Sequence, residues 1–240
     1  MSLPAYAPEP GRRGRVGAHP NGRRTASVRR RLPREQVRPS GFEYTINAIP
    51  ALFLLIFFAP VMLLAAALTA LEDGGPVFFG HTRIGRNGAT FKCLKFRSMS
   101  IDAAARLEAY LDQNPGARAE WERDHKLRDD PRVTQWGAFM RKSSIDELPQ
   151  LINVLRGEMN LVGPRPIVEA EVRRYGRYIA HYVSVSPGIT GLWQVSGRND
   201  TTYRRRVAID AVYARTRSID MDVWILLMTV VVVLTRKGSY

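Results

Sequence analysis

Two adjacent carboxylates, Asp146 and Glu147, are the residues of this sequence best suited to chemistry. They precede or open a predicted helix that begins at Ile145 or Pro149 and ends at Leu155. Both therefore lie at the positive end of its dipole, where phosphate also binds readily. Such a pair can divide its tasks, because one carboxylate can attack phosphorus while the other holds Mg²⁺, a hard cation that takes oxygen ligands. The pair indicates phosphoryl transfer.

A purely structural interpretation of these carboxylates is open at this point. Ser144 and Glu147 have the S-x-x-E spacing of a capping box, in which the two side chains satisfy backbone N–H groups at the start of a helix. A second acidic pair, Asp129 and Asp130, is followed by Pro131, and that order is typical of a turn. We expect the second pair to be structural, and only further evidence can separate capping from catalysis for the first.

Basic residues favour chemistry for the first pair. Arg141 lies just upstream of it, and other basic residues fall at predicted loop or strand positions. Charge builds up on phosphoryl oxygens during transfer, so a diphosphate needs a cradle of cations. Each basic residue alone is more often a solvated surface charge, and the case rests on their occurrence together with the two carboxylates. The predicted cradle comprises Lys95, Arg97, Arg141, Arg165 and Arg198.

An uncharged stretch from residue 48 to residue 71 indicates a membrane anchor. As a straight helix it would extend about 36 Å, enough for a hydrocarbon core of about 30 Å. Pro60 lies at its centre and both flanks are basic, so a spanning helix would conflict with the positive-inside rule. We therefore predict a re-entrant anchor over 41–72, kinked at Pro60, with both flanks in the cytoplasm. A buried core helix is the alternative.

The composition concentrates positive charge at the start of the chain. The 240 residues carry a net charge of +14, and residues 1–40 hold ten Arg and two Glu. This tail has few large apolar residues, so we predict that it is disordered and tethered to anionic lipid. The single cysteine, Cys93, excludes an internal disulfide and fits a reducing compartment. A basic nucleic-acid-binding or adaptor protein is the alternative, but no recognised nucleic-acid motif is present, so we expect no nucleic acid partner.

The remaining residues, 73–240, predict one small α+β domain with interfacial helices. Strands are predicted at 77–79 and 91–97, joined by an Asn-Gly hairpin signal at 87–88. The apolar segment 223–234 is too short to span a membrane, and is either an interfacial helix or a core element. A strand or short helix is predicted at 133–140, a loop at 185–191, and further helices at 103–112, 117–127, 168–181 and 202–217.

Several short segments occur in order between residue 75 and residue 240. Their occurrence together is a far more specific signal than an isolated Asp-Glu pair. These segments are 75–79, 83–88, 95–99, 130–134, 143–150, 153–157, 161–166, 187–194, 196–198, 220–229 and 238–240. Through them the chain resembles the bacterial sugar transferases, also called monotopic phosphoglycosyl transferases or polyprenyl-phosphate hexose-1-phosphate transferases. It resembles their compact type, with two departures: the segment 41–47 stands where the family's anchor usually opens with a Lys-Arg and a Phe-Asp pair, and Ala59 replaces a serine before the anchor proline.

This resemblance implies transfer of a sugar 1-phosphate from a nucleoside diphosphate sugar, expected to be a UDP-sugar, to polyprenyl (undecaprenyl) phosphate. Polyprenyl diphosphate sugar and UMP would form, in a first membrane step of exopolysaccharide or glycoconjugate assembly on the cytoplasmic face of the bacterial inner membrane. Asp146 is the expected nucleophile, through a covalent aspartyl-phosphosugar intermediate, and Glu147 the expected Mg²⁺ ligand. The expected phosphate or substrate contacts are Arg141, Lys95, Arg97, Arg165, Arg198 and Gln194.

An aspartyl-phosphate hydrolase is a second alternative to this transferase. Asp220 and Asp222 have the D-x-D spacing of such enzymes. They lie beside the apolar terminal segment, where we do not expect a nucleophile loop. The sequence leaves open which sugar is transferred, and a homo-oligomer is compatible with everything above.

Overall fold

The computed structural model describes residues 39–124, 127–197 and 202–235. Most of the predicted Arg-rich tail and the predicted site residue Arg198 lie outside these described residues. Within them, one long apolar helix packs against a domain of short helices and two small two-stranded sheets. The mixed helix and strand composition agrees with the predicted α+β class.

The long helix, α1, runs from Gly41 to Asp73 and matches the predicted anchor to within one residue. Ser40 caps its start by accepting a hydrogen bond from the backbone of Glu43, and Gly74 ends it in a left-handed conformation. The backbone is helical throughout, with Pro60 inside the helix. The anchor is therefore not seen as two separate helices, and its re-entrant path stays a prediction.

Helix α1 contacts the domain through small residues on either side of Pro60. Ala51 is fully buried in the main core, and Ala65 is 1% exposed beside Phe96 and Met140. The rest of the helix is apolar, with a mean hydropathy of 2.7 over its best window, of which only 11% is buried. This contradicts the buried core helix as an alternative. The exposed apolar side chains include Ile49, Phe53, Ile56, Phe57, Leu63, Leu64 and Leu71.

The first sheet is an antiparallel hairpin of β1, Phe78–Ile84, and β2, Thr90–Phe96. Its turn contains Asn87 and Gly88 with φ values of 56° and 77°. Asparagine and glycine accept this left-handed backbone more readily than other residues. The Asn-Gly signal thus predicted the hairpin correctly, although β1 is longer than the predicted strand 77–79.

Three helices follow the hairpin: α2, Ala103–Gln113, α3, Pro115–Asp124, and α4, Gln135–Ser143. The predicted break between α2 and α3 is shorter than expected. Proline is tolerated at the first position of a helix, and α3 accordingly begins at Pro115 itself. The segment 133–140, predicted as a strand or short helix, belongs mainly to α4, which Thr134 caps through a hydrogen bond from Gly137 N.

The second sheet joins two segments from the second half of the chain. A 3₁₀ turn, Ile145–Glu147, leads into α5, Gln150–Leu155, and then into β3, Asn160–Val162. Strand β3 pairs in parallel with β4, Gly188–Thr190. The prediction of a loop throughout 185–191 is therefore wrong, because backbone pairing to β3 orders three of its residues as a strand.

The segment predicted to be helical at 168–181 is helical over 169–183, but it does not form one α-helix. The segment divides into short turns around α6, Val172–Tyr175, and α7, Ile179–Val183. Gly176 has a φ of 52° between them, a left-handed conformation that interrupts an α-helix. The chain direction therefore changes at Gly176.

The described chain ends with α8, Leu192–Val195, α9, Tyr203–Thr216, and α10, Ile219–Thr235. Helix α10 contains segment 223–234, and its position at a membrane interface stays a prediction. Ile225 is fully buried in the core, while much of the rest of the helix exposes apolar side chains. The exposed ones are Ile219, Val223, Trp224, Leu227, Val230, Val231, Val233 and Leu234.

Buried polar contacts join the hairpin to α9. Tyr182 Oη donates to Ile84 O at 2.7 Å and accepts from Ile167 N at 3.1 Å. Tyr175 Oη donates to Asp210 Oδ2 at 2.7 Å, and Asp210 is 1% exposed. Because burial disfavours its charged form, the pKa of Asp210 rises to about 7.

We expect Asp210 to make the fold more stable as the pH falls from about 7 towards 5. The unfolded residue titrates near about 3.9, so between the two pKa values only the folded protein holds the proton. Asp210→Asn should flatten the rise of the thermal unfolding midpoint on acidification. Asp112→Asn, at a side chain 64% exposed, is the control and should keep the wild-type slope. Equal slopes for Asp210→Asn and wild type would contradict this role.

Candidate active site

The two adjacent carboxylates lie in a sharp reversal between α4 and α5. Ser144 has a φ of 60°, and its N–H donates to Arg141 O at 3.3 Å, which ends α4. The 3₁₀ turn that follows presents Asp146 and Glu147 to strand β2. The Ser144 side chain makes no capping hydrogen bond, so the capping-box interpretation is wrong.

Lys95, on β2, lies between both carboxylates. Its Nζ is 2.6 Å from Glu147 Oε1 and 3.4 Å from Asp146 Oδ2. Asp146 is only 6% exposed, and this burial raises the pKa of its carboxyl group. The Lys95 charge opposes that rise in pKa, and the Glu147 charge adds to it. The site thus holds a poorly hydrated carboxylate next to a neutralising cation, an arrangement suited to a nucleophile.

Asn153 fixes the distance between α5 and β2, and hence between the carboxylates and Lys95. Its side chain is fully buried. It donates to Lys92 O at 2.8 Å and accepts from Leu94 N at 2.9 Å, and it also donates to Glu158 Oε2 at 2.6 Å. This positioning role could not be predicted, because an asparagine at a helical position gives no distinctive signal in the sequence.

A small cavity opens beside Lys95 and Glu147. It encloses about 20 Å³, about the room that one ordered water molecule needs. A nucleotide sugar is far larger, so only part of such a ligand, such as a phosphoryl oxygen, fits inside. The lining residues are Arg83, Cys93, Lys95, Glu147, Gln150, Arg165, Pro166, Ile189 and Gln194.

Arg165 reaches this cavity because its loop is held by close backbone contacts. Gly163 N donates to Thr190 O at 2.9 Å, and Gly188 N donates to Pro164 O at 2.9 Å. A Cβ atom on Gly188 would lie 2.0 Å from Gly163 N, so a larger residue cannot be accommodated there. The parallel pairing of β3 and β4 thus positions the cation.

The structure brings only some of the other predicted contact residues close to the cavity. Gln194 lines the cavity, and its buried Oε1 has no hydrogen-bond partner among the described residues, so it can accept from a ligand. The Arg141 charge acts on Asp146, and its Nε donates to Ser98 Oγ at 2.8 Å. Arg97 instead binds the end of α1, with Nη1 2.7 Å from Asp73 Oδ2. Its phosphate contact stays a prediction, as does that of Arg198 outside the described residues.

Arg83 is a cavity cation that the sequence analysis did not select. Its Nη1 donates to Pro166 O at 3.2 Å. Burial and the neighbouring charge of Arg165 lower the pKa of its guanidinium group. Two cations held this close favour an anion between them. In the sequence, Arg83 lies shortly before the Asn-Gly turn, and this position is the signal that could have identified it as a site residue.

The rival acidic pairs serve structural roles. Asp130 Oδ2 is 2.6 Å from Arg132 Nη2, as expected for a structural turn. Asp222 accepts a hydrogen bond of 2.7 Å from Tyr213 Oη. Neither of these carboxylates lines the cavity. The structure therefore offers no support for a D-x-D nucleophile.

The two adjacent carboxylates suit the chemistry of Mg²⁺. This ion is usually bound by one or two protein carboxylates, with water and substrate phosphates completing its octahedron. Among the described residues, no cluster of three or more His, Cys, Asp or Glu could hold a metal without such help. Glu147 and Asp146 can supply the protein's share, provided that the Lys95 ammonium moves away from Glu147 Oε1.

Known proteins of one kind are similar to this chain. Residues 40–236 match the profile of a family described as Bacterial sugar transferase. The chain is 51% identical over 196 residues to an uncharacterized sugar transferase of Haemophilus influenzae. It is 48% identical over 196 residues to the undecaprenyl-phosphate galactose phosphotransferase of Salmonella typhimurium. It is 47% identical over 221 residues to the exopolysaccharide production protein ExoY of Rhizobium meliloti.

The coverage of these relatives differs. The first two alignments include 82% of this chain but 41% of each relative, so the chain spans about two fifths of their length. The alignment to the Rhizobium protein includes 90% of this chain and 98% of the relative.

We expect Asn153→Ala to destabilise the protein by about 1–3 kcal/mol, since it leaves buried backbone groups of β2 without partners. Denaturant unfolding in detergent measures this change. The control is Gln113→Ala, which removes an exposed amide at the end of α2 and should leave the free energy of unfolding nearly unchanged. A loss no greater than that of the control would mean that Asn153 does not hold α5 to β2.

Proposed function

Because the chain belongs to the bacterial sugar transferase family, we propose that it transfers a sugar 1-phosphate from a UDP-sugar to undecaprenyl phosphate. The main observation in support of this proposal is that Lys95 contacts both Asp146 and Glu147. Because Lys95 also lines the cationic cavity, the buried carboxylate lies next to that cavity. The Salmonella relative's name gives undecaprenyl phosphate as a substrate, and the Rhizobium relative's name gives exopolysaccharide production. We assign this chain to the same kind of membrane step.

The proposed reaction proceeds in two displacements at one phosphorus atom. First, an Asp146 oxygen attacks the phosphorus that bears the sugar, and the bond from that phosphorus to UMP breaks. Asp146 then carries the sugar phosphate as an acyl phosphate, and UMP leaves. Second, a phosphate oxygen of the polyprenyl phosphate attacks the same phosphorus, and the bond to Asp146 breaks. Asp146 returns as a carboxylate, and polyprenyl diphosphate sugar is released.

The cavity side chains would stabilise the charge that these displacements create. Lys95, Arg83 and Arg165 converge on the place where phosphoryl oxygens would lie, and cations fixed in advance lower the barrier to phosphoryl transfer. Gln194 supplies an unpaired acceptor for a donor group of the substrate. Glu147 would hold Mg²⁺, which when bound would neutralise diphosphate charge.

We also propose that α1 enters and leaves the cytoplasmic leaflet of the inner membrane. Its start is bound to the domain through Glu43, which is 2.8 Å from both Arg86 and Arg217. Its end is bound to the same domain through Asp73, which accepts from Arg97 and from Ile101 N. Both polar ends therefore belong on one side of the membrane. The exposed apolar faces of α1 and α10 would lie in lipid.

Asp146→Asn should lower turnover by about 10³-fold or more, because an amide cannot replace the nucleophile. Incubating wild type with UDP-sugar in the absence of polyprenyl phosphate should give UMP and an adduct on Asp146, detected by mass spectrometry. Asp129→Asn, at an exposed residue of the turn, is the control and should behave as wild type. An active Asp146→Asn variant would refute the nucleophile.

Chelation by EDTA should stop the transfer, and added Mg²⁺ should restore it. Glu147→Gln should raise the Mg²⁺ concentration for half-maximal activity by at least about tenfold, since an amide is a weaker ligand than a carboxylate. Glu122→Gln, an exposed residue on α3, provides the control. Full activity in EDTA would leave Glu147 without a metal role.

The topology can be tested with cysteines in a Cys93→Ala background. Ser40→Cys and Glu72→Cys, at the two exposed ends of α1, should both react with an impermeant maleimide from the cytoplasmic side only. Leu64→Cys, on the exposed apolar face, should be protected by lipid. Labelling of the two ends from opposite sides of the membrane would establish a spanning helix instead.

A further inference from the structure

A second concave site lies between the turns around α6 and the start of α9. This cleft encloses about 460 Å³, within the usual size of small-ligand sites. It shares no lining residue with the cavity beside Lys95. Its lining consists of Arg174, Tyr175, Gly176, Arg177, Tyr178, Tyr203, Arg204 and Val207.

Aromatic rings hold two of the cleft's arginines in place. The Arg174 guanidinium lies 3.9 Å from the centroid of the Tyr203 ring. Arg177 Nη2 donates to Tyr178 Oη at 3.0 Å, and its guanidinium lies 5.0 Å from the centroid of that ring. A guanidinium held against a ring keeps its remaining N–H groups free and loses less entropy when it binds an anion.

The positive charge of the cleft is not neutralised locally. None of the described residues that line the cleft carries a carboxylate. Arg174, Arg177 and Arg204 form no ion pair with any described residue. The hydrogen bond from Arg177, with the charges of Arg177, Arg204 and Arg215, lowers the pKa of the Tyr178 hydroxyl. These cations therefore lie close enough to act on one ring.

The nearby carboxylates do not cancel this charge. Asp210 accepts a buried hydrogen bond from Tyr175, and burial raises the pKa of its carboxyl group to about 7, which lowers its mean negative charge near neutral pH. Glu171 accepts from Tyr203 Oη at 3.3 Å and lies 3.8 Å from Arg83 on its other side. Glu171 thus separates the cleft from the cavity of the candidate active site.

We propose that this cleft binds a phosphoryl anion, as a site separate from the candidate active site. Arginine forks match the geometry of phosphate oxygens, and the Tyr178 hydroxyl, which accepts from Arg177, can donate one further hydrogen bond. Two sources share this chemistry: a soluble phosphate compound or the headgroup of an anionic phospholipid. The site does not depend on the reaction proposed for Asp146.

The test uses the full chain in nanodiscs and amide hydrogen exchange, which localises binding. In nanodiscs of phosphatidylcholine alone, pyrophosphate is titrated; in a second arm, phosphatidylglycerol replaces part of the lipid. The variant is Arg174→Gln with Arg177→Gln, and the control is Arg118→Gln with Arg156→Gln, two exposed arginines outside the cleft. Should the variant fail to fold, Arg204→Gln is used, since Arg204 is exposed.

Exchange at residues 174–178 and 203–207 should slow in wild type and in the control pair, and the variant should need at least about tenfold more ligand. Protection by pyrophosphate would identify a soluble source, and protection by phosphatidylglycerol alone would identify a lipid headgroup. No protection of the cleft in either arm, or equal protection in the variant, would overturn the proposal.

Discussion

The candidate site depends on one ammonium group shared by two carboxylates. Lys95 forms ion pairs with both Asp146 and Glu147, and it lies on a strand while they lie on a turn. Burial of Asp146 disfavours its charged form, and the Lys95 charge opposes the resulting rise in the pKa of its carboxyl group. The two contacts of Lys95 thus favour the ionised carboxylate that the proposed attack needs.

Much of the remaining structure holds these three side chains at their distances. Asn153 bonds α5 to the backbone of β2, and the left-handed backbone of Ser144 turns the chain towards that strand. Helix α1 is fastened to the same domain at both ends, by Glu43 and by Asp73. These contacts hold the domain that carries the site next to the exposed apolar face of α1, which we propose lies in lipid.

The sequence predicted features that depend on local chemistry. The Asn87-Gly88 turn, the bounds of the long apolar helix to within one residue and the structural role of Asp130 follow from short-range preferences, and the structure has all three. The sequence did not predict features that depend on distant partners. Strand β4 exists only through pairing with β3, and Arg97 is drawn to the end of α1 rather than to the cavity. Arg83 enters the site through the fold of the hairpin.

The most direct test of the shared ammonium group is the pH dependence of UMP release in a single turnover without lipid acceptor. In Lys95→Met, the cation that opposes the burial of Asp146 is gone, so the midpoint of the acid limb should move to higher pH. Lys92→Met, an exposed lysine of the same strand, should keep the wild-type midpoint. A Lys95→Met variant with lower amplitude but an unchanged midpoint would contradict the role given to Lys95.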